Sequence, residues 1–311
     1  MKKLNGTIKF LILMALAMLT WGGSWTSAKL VANTTAPEVL IFWRFLFTFI
    51  SLIPVMFFIK KPLKLDRRSF LLVTAGSVFL VAYNKLFFSG LRTGLAGGGG
   101  VLVTTLNPVV TFTLSALLFR QKIRIREGLG LFFGLIGGMF LIEIWNISTD
   151  KIFMSGNIYF LLSTLLWAAL TIASHKADNI SSLVFSFYVY GFSALMDLAL
   201  ALPFGVFDVM NAGYAFWLNM FYLSAVVTTF GTTVYFYASS KVGANKASTM
   251  TFLVPSSAVL ISWMALGEQP KLSTVFGGLL ALSAVYIINL GTNEKTDEEL
   301  KPAEIEDLKS L

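Results

Sequence analysis

Apolar residues in this chain run in long blocks, and the polar residues inside those blocks recur at helical rather than strand spacing. A helix that crosses the hydrocarbon core of a bilayer needs ~20 mostly apolar residues. Ten blocks meet that length: Ile8–Ala28, Glu38–Ile59, Phe70–Gly90, Gly98–Phe119, Gly128–Trp145, Gly156–Ser174, Leu183–Phe204, Tyr214–Ser239, Ala244–Leu266 and Thr274–Leu290. They are too long and too little alternating for the strands of a membrane barrel. The connections are short, so no segment outside the blocks is long enough for a soluble domain. The expected fold class is an all-α integral membrane protein with ten transmembrane helices. The first block has one feature of a signal peptide, Lys2 and Lys3 ahead of an apolar run with an Ala15-Leu16-Ala17 triplet. The run continues past the triplet through Trp21 and Trp25, and is read as a span.

Composition points the same way. Of 311 residues, 56% are hydrophobic and 13% charged, against about 45–50% and about 25% in soluble domains. With no Cys and one His, disulfides, iron–sulfur clusters, thiol catalysis and Cys/His zinc sites are excluded, and neither cofactor nor metal is expected. A membrane enzyme would need clustered His, Asp or Cys, which the sequence lacks.

The formal charge of +8 would suit nucleic acid until the basic residues are placed. If the N-terminus is cytoplasmic, 18 of the 24 Lys and Arg fall in cytoplasmic segments and 4 in outer loops, while Arg44 and Lys85 lie within spans. That asymmetry is the positive-inside signal. It places both termini in the cytoplasm of a cytoplasmic (inner) membrane protein and leaves no role for nucleic acid. The basic loops would meet anionic lipid. The segment 293–311 holds seven acids and three Lys and is expected to be a disordered cytoplasmic tail.

The chain repeats itself. Phe88–Gly138 aligns without gaps to Tyr235–Val285 at an offset of 147, with Pro108 on Pro255, Thr104 on Thr251, Leu106 on Leu253 and Gly130 on Gly277. At an offset of 146, Trp21 falls on Trp167. The halves are residues 1–150 and 151–292, five spans each. An odd number of spans per half inverts the second half relative to the first. Inverted-topology repeats are a transporter architecture, with the solute site near the midplane between halves.

These features resemble the drug/metabolite transporter superfamily, in particular its EamA-type members. The matching pieces are Trp21-Gly22-Gly23-Ser24 with Lys29, Trp43-Arg44-Phe45-Leu46, Asn107-Pro108, Val254-Pro255 and Leu266-Gly267-Glu268-Gln269-Pro270, and the likeness spans residues 8–290. One departure is Gln121, where the first-half counterpart of Glu268 is often acidic. The resemblance implies an export-type carrier of small metabolites, with a cavity formed by both halves.

Polar stripes show where a solute could sit. Ser186, Tyr190, Ser193 and Asp197 share one helical face, as do Thr104, Asn107, Thr111 and Ser115. So do Thr228, Thr232, Tyr235 and Ser239; Ser248, Thr251 and Ser262; Thr164, Trp167, Thr171 and Ser174; and Arg44, Thr48 and Ser51. Any one stripe can serve helix packing, but six together favour a polar cavity. Four ionisable residues fall within the blocks: Arg44, Lys85, Glu143 and Asp197. Glu143 is nearly at the interface. The others either pair with one another, or Arg44 or Lys85 takes a solute carboxylate while Asp197 takes an ammonium or a coupling proton. The candidate solute-binding residues are Trp21, Arg44, Tyr83, Lys85, Asn107, Trp167, Tyr190, Asp197 and Tyr235. Trp25 and Tyr188 are further aromatic candidates.

Pro108 and Pro255 remove helix hydrogen bonds at mid-span. They are either symmetric hinges or static kinks. Gly130, Gly134 and Gly138 in span five, and Gly277, Ala281 and Ala284 in span ten, are small-residue series for close helix approach, within the monomer or in a homodimer. His175 is read as interfacial. Gly97 to Gly100 lacks the Gly-Lys-Ser/Thr of a phosphate loop, so any active transport is secondary. The expected function is alternating-access movement of a small organic solute, an amino acid or related metabolite, outward and with a proton gradient as a candidate coupling force; the competing readings are a channel-like facilitator and a non-transporting scaffold.

Overall fold

The computed structural model describes residues 2–59, 61–93, 96–141, 143–146, 155–266 and 271–289. The expected tail, the segment around residue 150, and Glu268 lie outside these. Among the described residues there are helices and turns but no strand. The helices are α1 (Lys2–Val31), α2 (Pro37–Ile59), α3 (Arg67–Thr93), α4 (Ala96–Phe119), α5 (Ile125–Leu141), α6 (Ser155–Lys176) and α7 (Ser182–Ala201). Then follow α8, built from Tyr214–Phe221, a π-helical stretch Tyr222–Thr232 and Thr233–Val242, and α9, built from Ala244–Thr249, a 3-10 turn Met250–Phe252 and Leu253–Leu266. The last is α10 (Leu272–Asn289).

Seven of these, α1 to α4, α6, α7 and α10, are long and apolar enough on their own to cross a membrane. The other three expected spans are one helix of 17 residues, α5, and the two composite rods α8 and α9. Large apolar side chains such as Phe57, Phe58, Leu117, Leu118 and Leu195 stand on the outside of the bundle. Water would not tolerate that surface, but lipid does. The protein is a multi-pass membrane protein.

Local chemistry sets the boundaries. Pro37 opens α2 at the position where its missing N–H costs nothing. The Ser181 hydroxyl caps α7 by accepting from the Val184 N–H at 3.3 Å. Gly243, at φ +88°, turns the chain sharply between α8 and α9, a conformation that a side chain would resist.

The packing carries the twofold relation of the repeats. Helix α1 lies against α8 and α9, and its counterpart α6 lies against α3 and α4. The counterpart pairs α2 with α7 and α5 with α10 pack directly on each other. In the last pair, a Cβ at Gly137 would come 2.9 Å from the Gly277 carbonyl, and one at Gly277 would come 2.8 Å from the Gly137 carbonyl. The small-residue faces of both helices are therefore consumed inside one chain.

The two mid-span prolines behave differently. Helix α4 runs unbroken through Pro108, whereas α9 narrows to its 3-10 turn just before Pro255. Each proline deprives the carbonyl four residues earlier of a partner. In α4 that is the Thr104 carbonyl, which accepts instead from the Thr251 hydroxyl at 2.8 Å. In α9 it is the Thr251 carbonyl, approached by the Leu253 N–H within the tightened turn. Sequence symmetry alone predicts equal kinks. The contact between the two halves supplies a partner across the interface to the Thr104 carbonyl.

Candidate solute cavity between the repeats

A cavity, about 610 Å³ of empty space counting its open mouth, lies where the two repeats meet. The first repeat contributes Trp21, Ser24 and Trp25 from α1, Arg44 and Phe45 from α2, Leu80, Tyr83, Asn84 and Phe87 from α3, and Val103, Thr104 and Asn107 from α4. The second contributes Trp167 from α6, Tyr190 from α7, Val227 and Thr232 from α8 and Thr251 from α9. Helices α5 and α10 stand apart from it.

Arg44 is the one charged residue in this lining. Its Nη1 donates to Asn84 Oδ1 at 3.1 Å and its Nη2 to Thr228 Oγ1 at 3.3 Å. The π-helical stretch of α8 shapes the second contact: the wider winding lets the Thr228 hydroxyl bond the carbonyl five residues back, Leu223, at 2.6 Å. The Ser224 hydroxyl of the same stretch donates to the Arg44 carbonyl at 3.0 Å. Helix α2 is thus tied to α8 at the level of its arginine.

The remaining polar atoms of the site are unbalanced. Arg44 Nε, Asn107 Nδ2, Trp21 Nε1 and Trp167 Nε1 are buried without a hydrogen-bond partner. Asn107 and Trp167 come close to the Tyr235 hydroxyl but miss hydrogen-bond geometry. All four atoms are donors. Buried donors normally find acceptors, and each one left alone costs about 1–3 kcal/mol. The arrangement can therefore receive a group with several acceptor oxygens. No carboxylate lines the cavity to compete for the donors.

Aromatic rings form two layers around this space. Trp25 meets Phe87 at 4.9 Å and Phe160 at 5.8 Å between ring centroids. Trp21 meets Trp167 at 5.2 Å and Tyr235 at 5.1 Å. Tyr83 joins the layers, 5.8 Å from Phe87 and 4.9 Å from Trp167. Beyond the second layer, hydroxyls close the bundle: Thr171 with Tyr235 at 3.1 Å, Ser174 with Ser239 at 3.1 Å, and His175 Nδ1 with the Ser239 carbonyl at 2.9 Å.

Of the nine residues singled out from sequence, Trp21, Arg44, Tyr83, Asn107, Trp167 and Tyr190 line the cavity. Tyr235 packs immediately behind Trp21 and Trp167. Lys85 and Asp197 are elsewhere. Lys85 pairs with Glu38 at 3.1 Å, and Asp197 is buried beside them outside the lining. The charges in the spans therefore do not pair among themselves as the sequence allowed. Glu38, taken there as the first residue of a span, is the missing partner. Glu143 falls beyond the end of α5 and accepts from Lys271 at 2.9 Å and Ser273 at 2.7 Å. Trp25 joins the lining, while the Tyr188 hydroxyl donates to the Leu63 carbonyl at the surface. Sequence reasoning missed Asn84, whose only signal is being a polar residue one place before Lys85.

Counterparts face each other across this space. Trp21 touches Trp167 and Thr251 bonds to Thr104. Arg44 and Tyr190, which share the 146-residue spacing, line the same cavity.

Comparison with known proteins agrees with the repeat. The model of the EamA-like transporter family matches residues 8–142 and again residues 154–290. The uncharacterized transporter YdfC of Bacillus subtilis is 26% identical over 302 residues, 93% of each chain. An uncharacterized transporter of Archaeoglobus fulgidus is 23% identical over 89% of this chain and 96% of its own. A solved crystal structure with 16% identity superposes with a TM-score of 0.71 over 92% of this chain and 98% of that one, which shows a shared fold.

Proposed function

This chain belongs to the EamA-like transporter family, and we propose that it is a secondary carrier that exports a small carboxylate-bearing solute, an amino acid or related metabolite, by alternating access. Membrane transport is common ground for the family; the solute, the direction and the mechanism are our reading. The observation that carries it is that Trp21, Arg44, Asn107 and Trp167, all lining a cavity shared by both repeats, each hold a buried donor without a partner. A carboxylate placed there accepts from the guanidinium and from an indole or amide N–H. The amino group of an amino acid would rest on the faces of Trp21, Tyr83 and Trp167. The aromatic layer at Trp25 and the hydroxyl seal at Ser174 and Ser239 are the two places where access would open in turn. The distribution of Lys and Arg supports a cytoplasmic membrane location with both termini inside.

Counterflow in proteoliposomes, run over a panel of amino acids and their amides, tests this. Saturable exchange of acids but not of amides is expected. Flux that never saturates would mean a facilitating pore, and no flux of any member would remove the carrier reading.

A further inference from the structure

Asp197 is the most deeply buried carboxylate among the described residues, 1% exposed, and it forms no ion pair there. Its Oδ2 has no hydrogen-bond partner. It sits on α7, whose neighbours are α2, α3 and α8. The charged groups that face it are Glu38 from α2 and Lys85 from α3. Lys241, the charged residue of α8, is at the far end of that helix, and Arg44 of α2 is turned toward Asn84 and Thr228. One cation thus serves two carboxylates, and it is committed to Glu38 at 3.1 Å. An isolated carboxylate in such surroundings is strongly disfavoured, and a proton removes the charge.

We propose that Asp197 is a proton-binding site, separate from the solute cavity, through which this carrier is coupled to protons. Lys85, with 52% of its side chain exposed, brings the cluster to the surface of the bundle, from where a long ammonium side chain can reach the interface. Uptake places one proton from water on the Asp197 carboxylate and forms a single O–H bond; release returns it. When Asp197 is ionised, it competes with Glu38 for Lys85.

The route to the cavity is short. Helices α2 and α3 are bridged twice, by Glu38 with Lys85 and by Arg44 with Asn84. Asn84 and Lys85 are consecutive, so the bridge that holds Glu38 and the bridge that holds Arg44 leave α3 from the same turn. Asp197 also shares a face of α7 with Tyr190, seven residues earlier, which lines the cavity. The site goes beyond the carrier reading and is read without any solute.

The test is infrared difference spectroscopy of the reconstituted full chain during a pH step. The expected result is a protonated-carboxyl C=O band at neutral pH that moves on hydrogen–deuterium exchange, is absent in Asp197→Asn and persists in Glu38→Gln. Should the asparagine variant fail to fold, Asp197→Glu must keep the band at a displaced frequency. A wild-type spectrum without this band, or a band that survives Asp197→Asn, would overturn the proposal. Solute-free measurement keeps this outcome distinct from any failure of the transport assay.

Discussion

The Thr251 hydroxyl donates to the Thr104 carbonyl across 2.8 Å, and the two threonines occupy the same position in the two repeats. Each stands four residues before its repeat's proline. The hydrogen bond fills the carbonyl that Pro108 leaves empty. Thr251→Val keeps the shape and removes the donor. It is expected to lower stability by about 1–2 kcal/mol, while Thr251→Ser stays near wild type. Thermal unfolding in detergent reads both, and equal midpoints for the valine and serine variants would dismiss the role assigned to this bond.

Arg44 is the only charge that a solute in the cavity would meet. Arg44→Met should leave the fold in place and weaken a carboxylate solute by about 1.5–3 kcal/mol, roughly 10- to 150-fold in apparent affinity. The matching amide should change little. Concentration dependence of counterflow measures this, and a methionine variant with wild-type affinity for the acid would place the carboxylate elsewhere.

The unequal prolines predict unequal variants. Pro255→Ala restores an N–H next to the 3-10 turn of α9 and lets that rod wind as a regular helix. Transport should slow several-fold with solute affinity preserved. Pro108→Ala, within an unbroken helix whose empty carbonyl already has a partner, should change rates less. Identical rates in wild type and both variants would show that neither proline is a hinge.

Glu143 titrates outside the spans. Its carboxylate accepts from Lys271, Ser273 and Asn146, and these bonds hold it well below the ordinary value of 4.5, at about 2. A group depressed in the folded state stabilises above its unfolded value and loses that contribution as pH falls through the folded one. The melting difference between wild type and Glu143→Gln should therefore be constant near neutrality and vanish as the pH drops from about 4.5 to about 2. A difference that persists at the acid end would show that Glu143 acts by packing rather than by charge.

The faces of the helices were legible in the sequence, but the partners across them were not. Spacing placed Asn107, Trp167 and Tyr190 on inward stripes, and all three line the cavity. A stripe names a face without saying which turn meets a solute and which meets a neighbouring helix. Thr171 and Ser239 lie on equally polar stripes and spend their hydroxyls on closing the bundle. Glu38 was hidden for another reason. A charged residue at the end of an apolar block reads as a boundary, and only the approach of α3 turns it into the partner of Lys85. The π-helical stretch of α8 left no trace in composition, and the contacts that Ser224 and Thr228 make from it to α2 could not be read from the sequence.

Arg44 and Tyr190 occupy equivalent places in a duplicated frame, yet one is a cation and the other a phenol. In a perfectly duplicated carrier, the form open to one side would be the image of the form open to the other. Here the cation belongs to one repeat alone, so a charged solute would not weigh the two forms equally. The protein would then rest preferentially in one form even between identical solutions, so its apparent affinity would differ on the two sides, while net movement would still follow the gradient.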